Sequence, residues 1–201
     1  MKKIAIINGL IVDGTGAPSY KGTILVENDR IINIGSGSTA EEFIKEADEV
    51  IDANGQVVAP GFIDSHSHSD LELLIKPMLA PKIRQGITTE VLGQDGVAMA
   101  PLPTEFIEDW RKNIGGLDGD TDDIDWNFQT VSNYLDLIRD SKNTSNFTYL
   151  VPHGNVRLSV LGFSEKKADS NDIKAMCDEV RIAMEAGCVG LSSGLIYMPC
   201  A

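Results

Sequence analysis

The segment P-G-F-I-D-S-H-S-H-S-D at residues 60–70 constrains this chain more than any other part of it. Phe62 and Ile63 predict the start of a buried strand, and His66 and His68 follow in an H-x-H pattern. Side chains at positions i and i+2 of a strand share a face, so both imidazoles are expected to project together. Binding one Zn²⁺, at about 2.0–2.1 Å from each nitrogen, resolves their competition for space. The pattern favours a metal site; the alternative is a pair of solvated loop histidines.

Strand-like and helix-like stretches alternate after residue 60. Apolar or β-branched runs predict strands at 87–92, 147–151 and 189–192, and i, i+3, i+4, i+7 spacing predicts helices at 131–138 and 173–183. Ser170 is the expected N-cap of the last helix. This alternation predicts parallel βα units with right-handed crossovers. A closed (β/α)₈ barrel needs eight strands and roughly 250 residues, so residues 61–201 predict the first half of such a barrel, ending after about four strands.

Residues 1–60 predict a separate small β unit, made of short strands and turns. Asn8-Gly9, Asn28-Asp29 and Asn54-Gly55 are turn signals, and the last is expected to join a hairpin.

Residues 104–127 are acidic and irregular, and predict a loop whose carboxylates face solvent. Arg157 is expected to be a surface residue.

Composition excludes several classes of partner. Seventeen Lys and Arg face 30 Asp and Glu, which gives a formal charge of −13 and disfavours nucleic acid and anionic membranes. The three cysteines are an odd number without C-x-x-C spacing, so a disulfide framework is not expected. No signal-like segment and no run of about 20 apolar residues is found. We therefore expect a cytoplasmic protein.

Five stretches of this sequence together resemble one family of enzymes. They are residues 60–70, P-K-I-R-Q-G-I-T-T at 81–89, G-Q-D-G-V-A-M-A-P at 93–101, H-G-N-V-R at 153–157 and G-L-S-S-G-L-I-Y-M-P at 190–199. The chain resembles the amidohydrolase superfamily, and within it the N-acyl-D-amino-acid deacylases. The resemblance implies a β-sandwich packed on a (β/α)₈ barrel. It also implies one or two zinc ions, with Mn or Fe as alternatives, and a small-molecule N-acyl amino acid as substrate.

Three residues match the metal ligands of this family. His66 and His68 correspond to the ligands that follow the first barrel strand, and Asp95 to the ligand that follows the second. The best-known branch has a cysteine at that second position. A carboxylate is a harder ligand than a thiolate and can bridge two cations, so the identity and number of the metals are open here. The alternative for Asp95 is a turn residue before glycine.

The resemblance also implies roles for three further residues. Tyr197 is expected to line the substrate pocket, with a packing tyrosine as the equal alternative. His153 is expected to support the site or line its pocket, with a turn-capping histidine as the alternative. Asp64 is expected to hold a ligand imidazole, unless backbone N–H groups satisfy its carboxylate.

The reaction implied is metal-assisted hydrolysis of an amide. The acid–base Asp of the family and its later histidine ligands are expected beyond residue 201, so the chain contains no predicted catalytic residue and is expected to be inactive alone. A cyclic-amide hydrolase of the dihydroorotase or hydantoinase type is a weaker alternative, because residues 190–199 lack a bridging lysine. The other alternative is a non-catalytic metal-binding or assembly module, forming homo-oligomers through unpaired sheet edges.

Overall fold

The computed structural model describes residues 2–200 of the chain, and these fall into two compact units that divide after Pro60. The first unit contains β1 (Lys3–Ile11), β2 (Tyr20–Glu27), β3 (Arg30–Ser36), α1 (Ala40–Glu46), β4 (Glu49–Asp52) and β5 (Val57–Val58). Its sheet has the order β3-β2-β1-β4, and β5 also pairs with β1. Ala5, Leu25 and Phe43 form its small buried core.

Two of the predicted turns in the first unit have a different structure. Asn8 has a φ of 55°, but the chain does not reverse there: β1 continues to Ile11 through a bulge in its pairing with β2. Asn54-Gly55 does not join a hairpin either, because β4 and β5 both pair with β1 and run parallel to it. The amide of Gly55 donates to the carbonyl of Asn8, so the turn lies beside the bulge. Asn and Gly supplied the positive φ that both features need.

The second unit confirms the α/β class and the parallel strand order. It contains β6 (Phe62–Asp64), α2 (Glu72–Ile75), α3 (Ala80–Ile83), β7 (Ile87–Leu92), α4 (Ile107–Ile114), α5 (Val131–Asp140), β8 (Asn146–Pro152), α6 (His153–Leu161), α7 (Ser170–Glu185) and β9 (Gly190–Ser192). All neighbouring strands of the sheet β6-β7-β8-β9 are parallel. The carboxyl ends of the four strands therefore lie at one edge, where barrel enzymes carry their sites.

A large aromatic core supports this edge of the sheet. Trp110, Phe128, Tyr134 and Tyr149 are fully buried, and the rings of Tyr134 and Tyr149 lie 5.2 Å apart. Trp110 belongs to α4, a helix inside the segment 104–127 that the sequence predicted to be irregular. Large buried aromatic side chains contribute much of the packing energy of a core, so this segment is part of the fold.

Other local expectations in the second unit are also corrected. Phe62 and Ile63 are 61 % and 66 % exposed, because β6 is an edge strand that pairs with β7 alone among the described residues. Asp169, not Ser170, caps α7, in a reciprocal capping box with Asp172. Within residues 2–200, none of the helices is both long and apolar enough to cross a bilayer.

Candidate metal centre

The H-x-H histidines and Asp95 lie together at the carboxyl edge of the parallel sheet. His66 and His68 follow the end of β6, and Asp95 follows the end of β7. Oδ2 of Asp95 lies 3.2 Å from Nε2 of His68 and 3.5 Å from Nε2 of His66. One donor atom from each of the three residues lies within 4.8 Å of the other two. The structure thus brings the three sequence-predicted ligand residues into one group, open to solvent on the His66 side, where the side chain is 57 % exposed.

The Asp95 carboxylate is placed by an unusual turn. Asp95 has φ 56° and ψ 13°, in the left-handed region that Asp and Asn enter more readily than most residues. Gly93, two residues before it, has φ 73°, and a Cβ there would lie 2.2 Å from the carbonyl oxygen of Leu150. A Cβ at Gly194 would lie 2.2 Å from the carbonyl oxygen of Asp95. The turn is therefore held between β8 and the segment after β9.

Ser192, at the end of β9, fastens the same turn by hydrogen bonds. Its hydroxyl donates to the carbonyl of Gly93 and accepts from the amide of Gly96 at 3.0 Å. Because these contacts span about a hundred residues of sequence, the fourth strand helps to fix the position of the second-strand carboxylate.

Asp118 is a site residue that the sequence analysis assigned to a solvated loop. Its carboxylate is buried, and Oδ1 lies 2.9 Å from Nδ1 of His68. The hydrogen bond with Asp118 raises the pKa of His68 above its usual value, although burial acts in the opposite direction. A carboxylate on Nδ1 is a common partner of a metal-binding histidine. The carboxylate in contact with a predicted ligand imidazole is thus that of Asp118, whereas the sequence predicted that of Asp64.

Asp70 lies behind Asp118 as a second buried carboxylate. One of its oxygens accepts the amide N–H of Gly93 at 3.1 Å, and its backbone carbonyl accepts the hydroxyl of Tyr134. The other oxygen of Asp70 and one oxygen of Asp118 have no hydrogen-bond partner among the described residues. Burial, followed by the nearby Asp118 charge, raises the pKa of Asp70 well above its usual value.

Asp64 does not hold an imidazole, which corrects the role expected for it. Its carboxylate forms an ion pair with Lys82 and accepts the backbone N–H of His66 at 3.2 Å. The hydrogen bond from Lys82 lowers the pKa of Asp64 below its usual value. Lys82 also lies 3.1 Å from Glu90, whose carboxylate is completely buried and accepts the hydroxyl of Ser67 at 2.6 Å. Asp64 therefore anchors the start of the H-x-H segment to α3.

His153 and Tyr197 lie outside the group of three donors. His153 begins α6 and lines a shallow apolar depression with side chains of α6, α7 and β9. Burial, and then the charge of Arg157, lower the pKa of His153. Arg157 is 7 % exposed and donates to the carbonyl of Lys166, so its assignment to the surface was wrong. Tyr197 is 38 % exposed on the segment that packs against the Asp95 turn through Gly194, and its substrate role stays a prediction.

The donor set fits a divalent transition metal. Two imidazole nitrogens and one carboxylate oxygen are the ligand types found in three-ligand catalytic zinc sites. The contact between Nδ1 of His68 and Asp118 leaves Nε2 of that ring, the atom nearest Asp95, as the ligand atom. The half-exposed ring of His66 leaves an approach for a further ligand or a substrate.

Comparison with known proteins identifies the family. The model of the amidohydrolase family matches residues 49–195. A D-aminoacylase of Alcaligenes xylosoxydans xylosoxydans is 33 % identical over 98 % of this chain and 39 % of its own length. An N-acyl-D-glutamate deacylase of the same organism is 34 % identical over 98 % of this chain and 38 % of its own. The chain thus spans about two fifths of the length of these relatives.

Solved structures of enzymes with the same names match this fold. The zinc and phosphonate complex of N-acyl-D-glutamate deacylase from Bordetella bronchiseptica superposes with a TM-score of 0.84 at 36 % identity, over 98 % of this chain and 39 % of that one. A crystal structure of D-aminoacylase gives a TM-score of 0.83 at 33 % identity, with the same coverage. A further D-aminoacylase structure is described as having a binuclear metal centre. The chain described here belongs to the amidohydrolase family.

Proposed function

We propose that a protein containing this chain is a metal-dependent hydrolase that cleaves the amide bond of N-acyl-D-amino acids. The observation that carries the proposal is the convergence of His66, His68 and Asp95 within 4.8 Å at the carboxyl edge of the sheet. The relatives that match over nearly the whole chain are D-aminoacylases and N-acyl-D-amino-acid deacylases by name, which supports this substrate class.

His66 and His68 would hold the metal through ring nitrogens, and Asp95 through a carboxylate oxygen. We propose zinc, as one or two ions, because this donor set suits it and a related deacylase was solved with zinc; manganese and iron are the alternatives. When bound, such an ion supplies a Lewis acid that polarises a carbonyl group and makes water a nucleophile near neutral pH. Asp95 would supply a negatively charged oxygen ligand to such an ion.

The other residues of the site orient and position groups. Asp118 holds the ring of His68, and Asp64 holds the backbone at His66. Tyr197 is proposed to meet the substrate, either at its carboxylate or at the oxyanion that develops during amide hydrolysis. His153 is the third histidine of the sequence, and it is not part of the donor group.

Metal analysis of purified protein tests the metal site. Protein prepared without chelator and dialysed against Zn²⁺ is expected to retain zinc, measured by plasma mass spectrometry. His66→Ala and His68→Ala are each expected to lose it, because each removes a donor nitrogen. His153→Ala is the matched control, since it removes the third histidine without touching the donor group. Equal zinc retention by all four proteins would refute the site.

A second experiment tests the activity. The 201-residue chain alone is proposed to show negligible turnover, because none of the residues described at the site is assigned the role of proton donor to the leaving amine. It should be assayed with N-acetyl-D-leucine, N-acetyl-D-glutamate and their L forms, beside a longer protein that includes these residues. The expected result is that only the longer protein deacylates the D forms. Turnover by the 201-residue chain that His66→Ala abolishes would overturn the proposed inactivity.

A further inference from the structure

His68 stands between two carboxylates that compete for its ring proton. Asp118 lies 2.9 Å from Nδ1, and Asp95 lies 3.2 Å from Nε2. A neutral imidazole carries one proton, so only one of the two carboxylates can accept it. If Asp95 accepts the proton, Nε2 is blocked as a metal ligand. If Asp118 accepts it, the lone pair of Nε2 faces the same space as Asp95 and His66.

The structure favours Asp118 in this competition. Its side chain is completely buried, whereas that of Asp95 is 30 % exposed. A hydrogen bond in a water-poor environment is electrostatically stronger than one that water screens. The Asp118 contact is also the shorter of the two. The proton is therefore expected on Nδ1, even before a metal arrives.

The segment that carries Asp118 is held in place by contacts with helix α4. The amide of Asp118 donates to the carbonyl of Ile114 at 2.9 Å, so the residue is tied to the last residue of α4, four positions before it. Arg111 of the same helix binds Asp120 and Asp122, each at 2.6 Å, and its guanidinium lies 5.0 Å from the ring centre of Trp126. Asp120 and Asp122 are thus exposed partners of Arg111, whereas the carboxylate of Asp118 is buried against His68.

We propose that Asp118 is a positioning residue of the metal centre, which fixes the tautomer of His68 and presents its Nε2 to the ion. The inference rests on the proposed function, because it concerns the same site. Asp118 is not one of the three residues of the donor group, and it acts through the ring of His68. The excursion between β7 and β8, rather than a barrel strand, therefore supplies a part of the site.

The tautomer can be observed without any metal. In metal-free, ¹⁵N-labelled protein, long-range ¹H–¹⁵N spectra distinguish protonated from unprotonated ring nitrogens, and three histidines give few signals to assign. Spectra should be recorded at a pH where the ring is neutral, with His66→Gln and His153→Gln for assignment. We expect the His68 proton on Nδ1 in the wild type and a mixture of tautomers in Asp118→Asn. A wild-type proton on Nε2 would overturn the proposal even if Asp118→Asn fails to fold.

Zn²⁺ affinity, measured in competition with a chromophoric chelator, gives the second test. Asp118→Asn is expected to bind Zn²⁺ about 10–100-fold more weakly, the usual cost of losing such a partner. Asp123→Asn is the matched control, since it removes an exposed charge from the same segment, and it should keep wild-type affinity. Equal affinities in Asp118→Asn and wild type would overturn the proposal. If the wild type itself binds no Zn²⁺, the proposed function fails, while the ring spectrum still decides the role of Asp118.

Discussion

The replacement Lys82→Met tests how much the ion pairs of Lys82 beside the H-x-H segment stabilise the second unit. Lys82 contacts both Asp64 and Glu90, and the Glu90 side chain has no exposure to solvent. Removing one partner of a buried ion pair leaves a charge without compensation and costs about 3–5 kcal/mol. Glu90 would keep hydroxyl donors from Ser67 at 2.6 Å and Ser145 at 3.1 Å. We therefore expect a loss near the lower limit, about 3 kcal/mol.

Urea unfolding followed by tryptophan fluorescence measures this loss. The chain has two tryptophans, Trp110 and Trp126, and both lie in the second unit, so the signal reports on that unit alone. The midpoint should fall while the slope stays unchanged, because the surface exposed on unfolding is the same. Glu90→Gln is the comparison, since it removes the charge and should cost only about 1–2 kcal/mol. The reasoning would be refuted by a loss below about 1 kcal/mol for Lys82→Met with an unchanged slope.

The pH dependence of the same variant gives an internal check. Burial raises the pKa of Glu90, but hydrogen bonds from Ser67 and Ser69 and the contact with Lys82 outweigh it, so the pKa lies below its usual value. A lowered pKa contributes stability that is present above the unfolded value of 4.5 and lost as the pH falls through the folded one. Without Lys82 the pKa of Glu90 rises, and protonation then relieves the buried charge. The difference from wild type should narrow as the pH falls from 7 towards 4.5. A constant difference would show that Glu90 is not the charge at issue.

Two further predictions concern the residues around Asp95. The hydrogen bond with Asp118 raises the pKa of His68, so its contribution to stability is complete below pH 6.5 and is lost as the pH rises through the folded value. The melting temperature of metal-free protein should therefore fall as the pH rises above 6.5, and more steeply than in His68→Asn; parallel profiles would contradict this. Gly93→Ala should destabilise by at least about 2 kcal/mol, because of its positive φ and the clash with Leu150, and should weaken Zn²⁺ binding. Gly116→Ala, which meets no atom within 4 Å, is the control for both effects, and similar losses in the two variants would refute the assigned cause.

The three predicted ligand residues could be found from the sequence because each follows a recognisable strand pattern. The H-x-H pair and Asp95 each follow an apolar, β-branched run, and parallel strands bring their carboxyl ends to one edge. The role of Asp118 could not be predicted from the sequence, for a physical reason. It lies 50 residues from His68 in the sequence, among aspartates of the same chemistry, and only packing decides which of them turns inward. Helix α4 was not predicted either, because only two of its residues, Trp110 and Ile114, are buried, and two apolar positions make a weak periodic pattern.

In the first unit, the Asn-Gly pairs indicated the local backbone conformation correctly, but they did not indicate which strands pair. Asn8 and Asn54 do have positive φ values, as their Asn-Gly pairs suggest, yet one lies in a bulge and the other between two strands that share a partner. Which strands pair is decided by contacts distant in sequence. Similarly, the apolar character of Phe62 and Ile63 predicted a strand correctly but could not show which neighbours cover it.

The left-handed turn at Asp95 has a consequence for redesign of metal preference. Any residue placed there must adopt a φ near 56° while Gly93 and Gly194 hold the turn on both sides. Asn and Gly tolerate that conformation, but Asn lacks the charge and Gly lacks a donor. Asp95→Cys would introduce a softer sulfur ligand in a conformation that cysteine enters less readily than aspartate, so a protein with cysteine at this position has to stabilise the same turn by other contacts. The choice of amino acid at this position is thus narrowed by backbone geometry before the preference of the ion is considered.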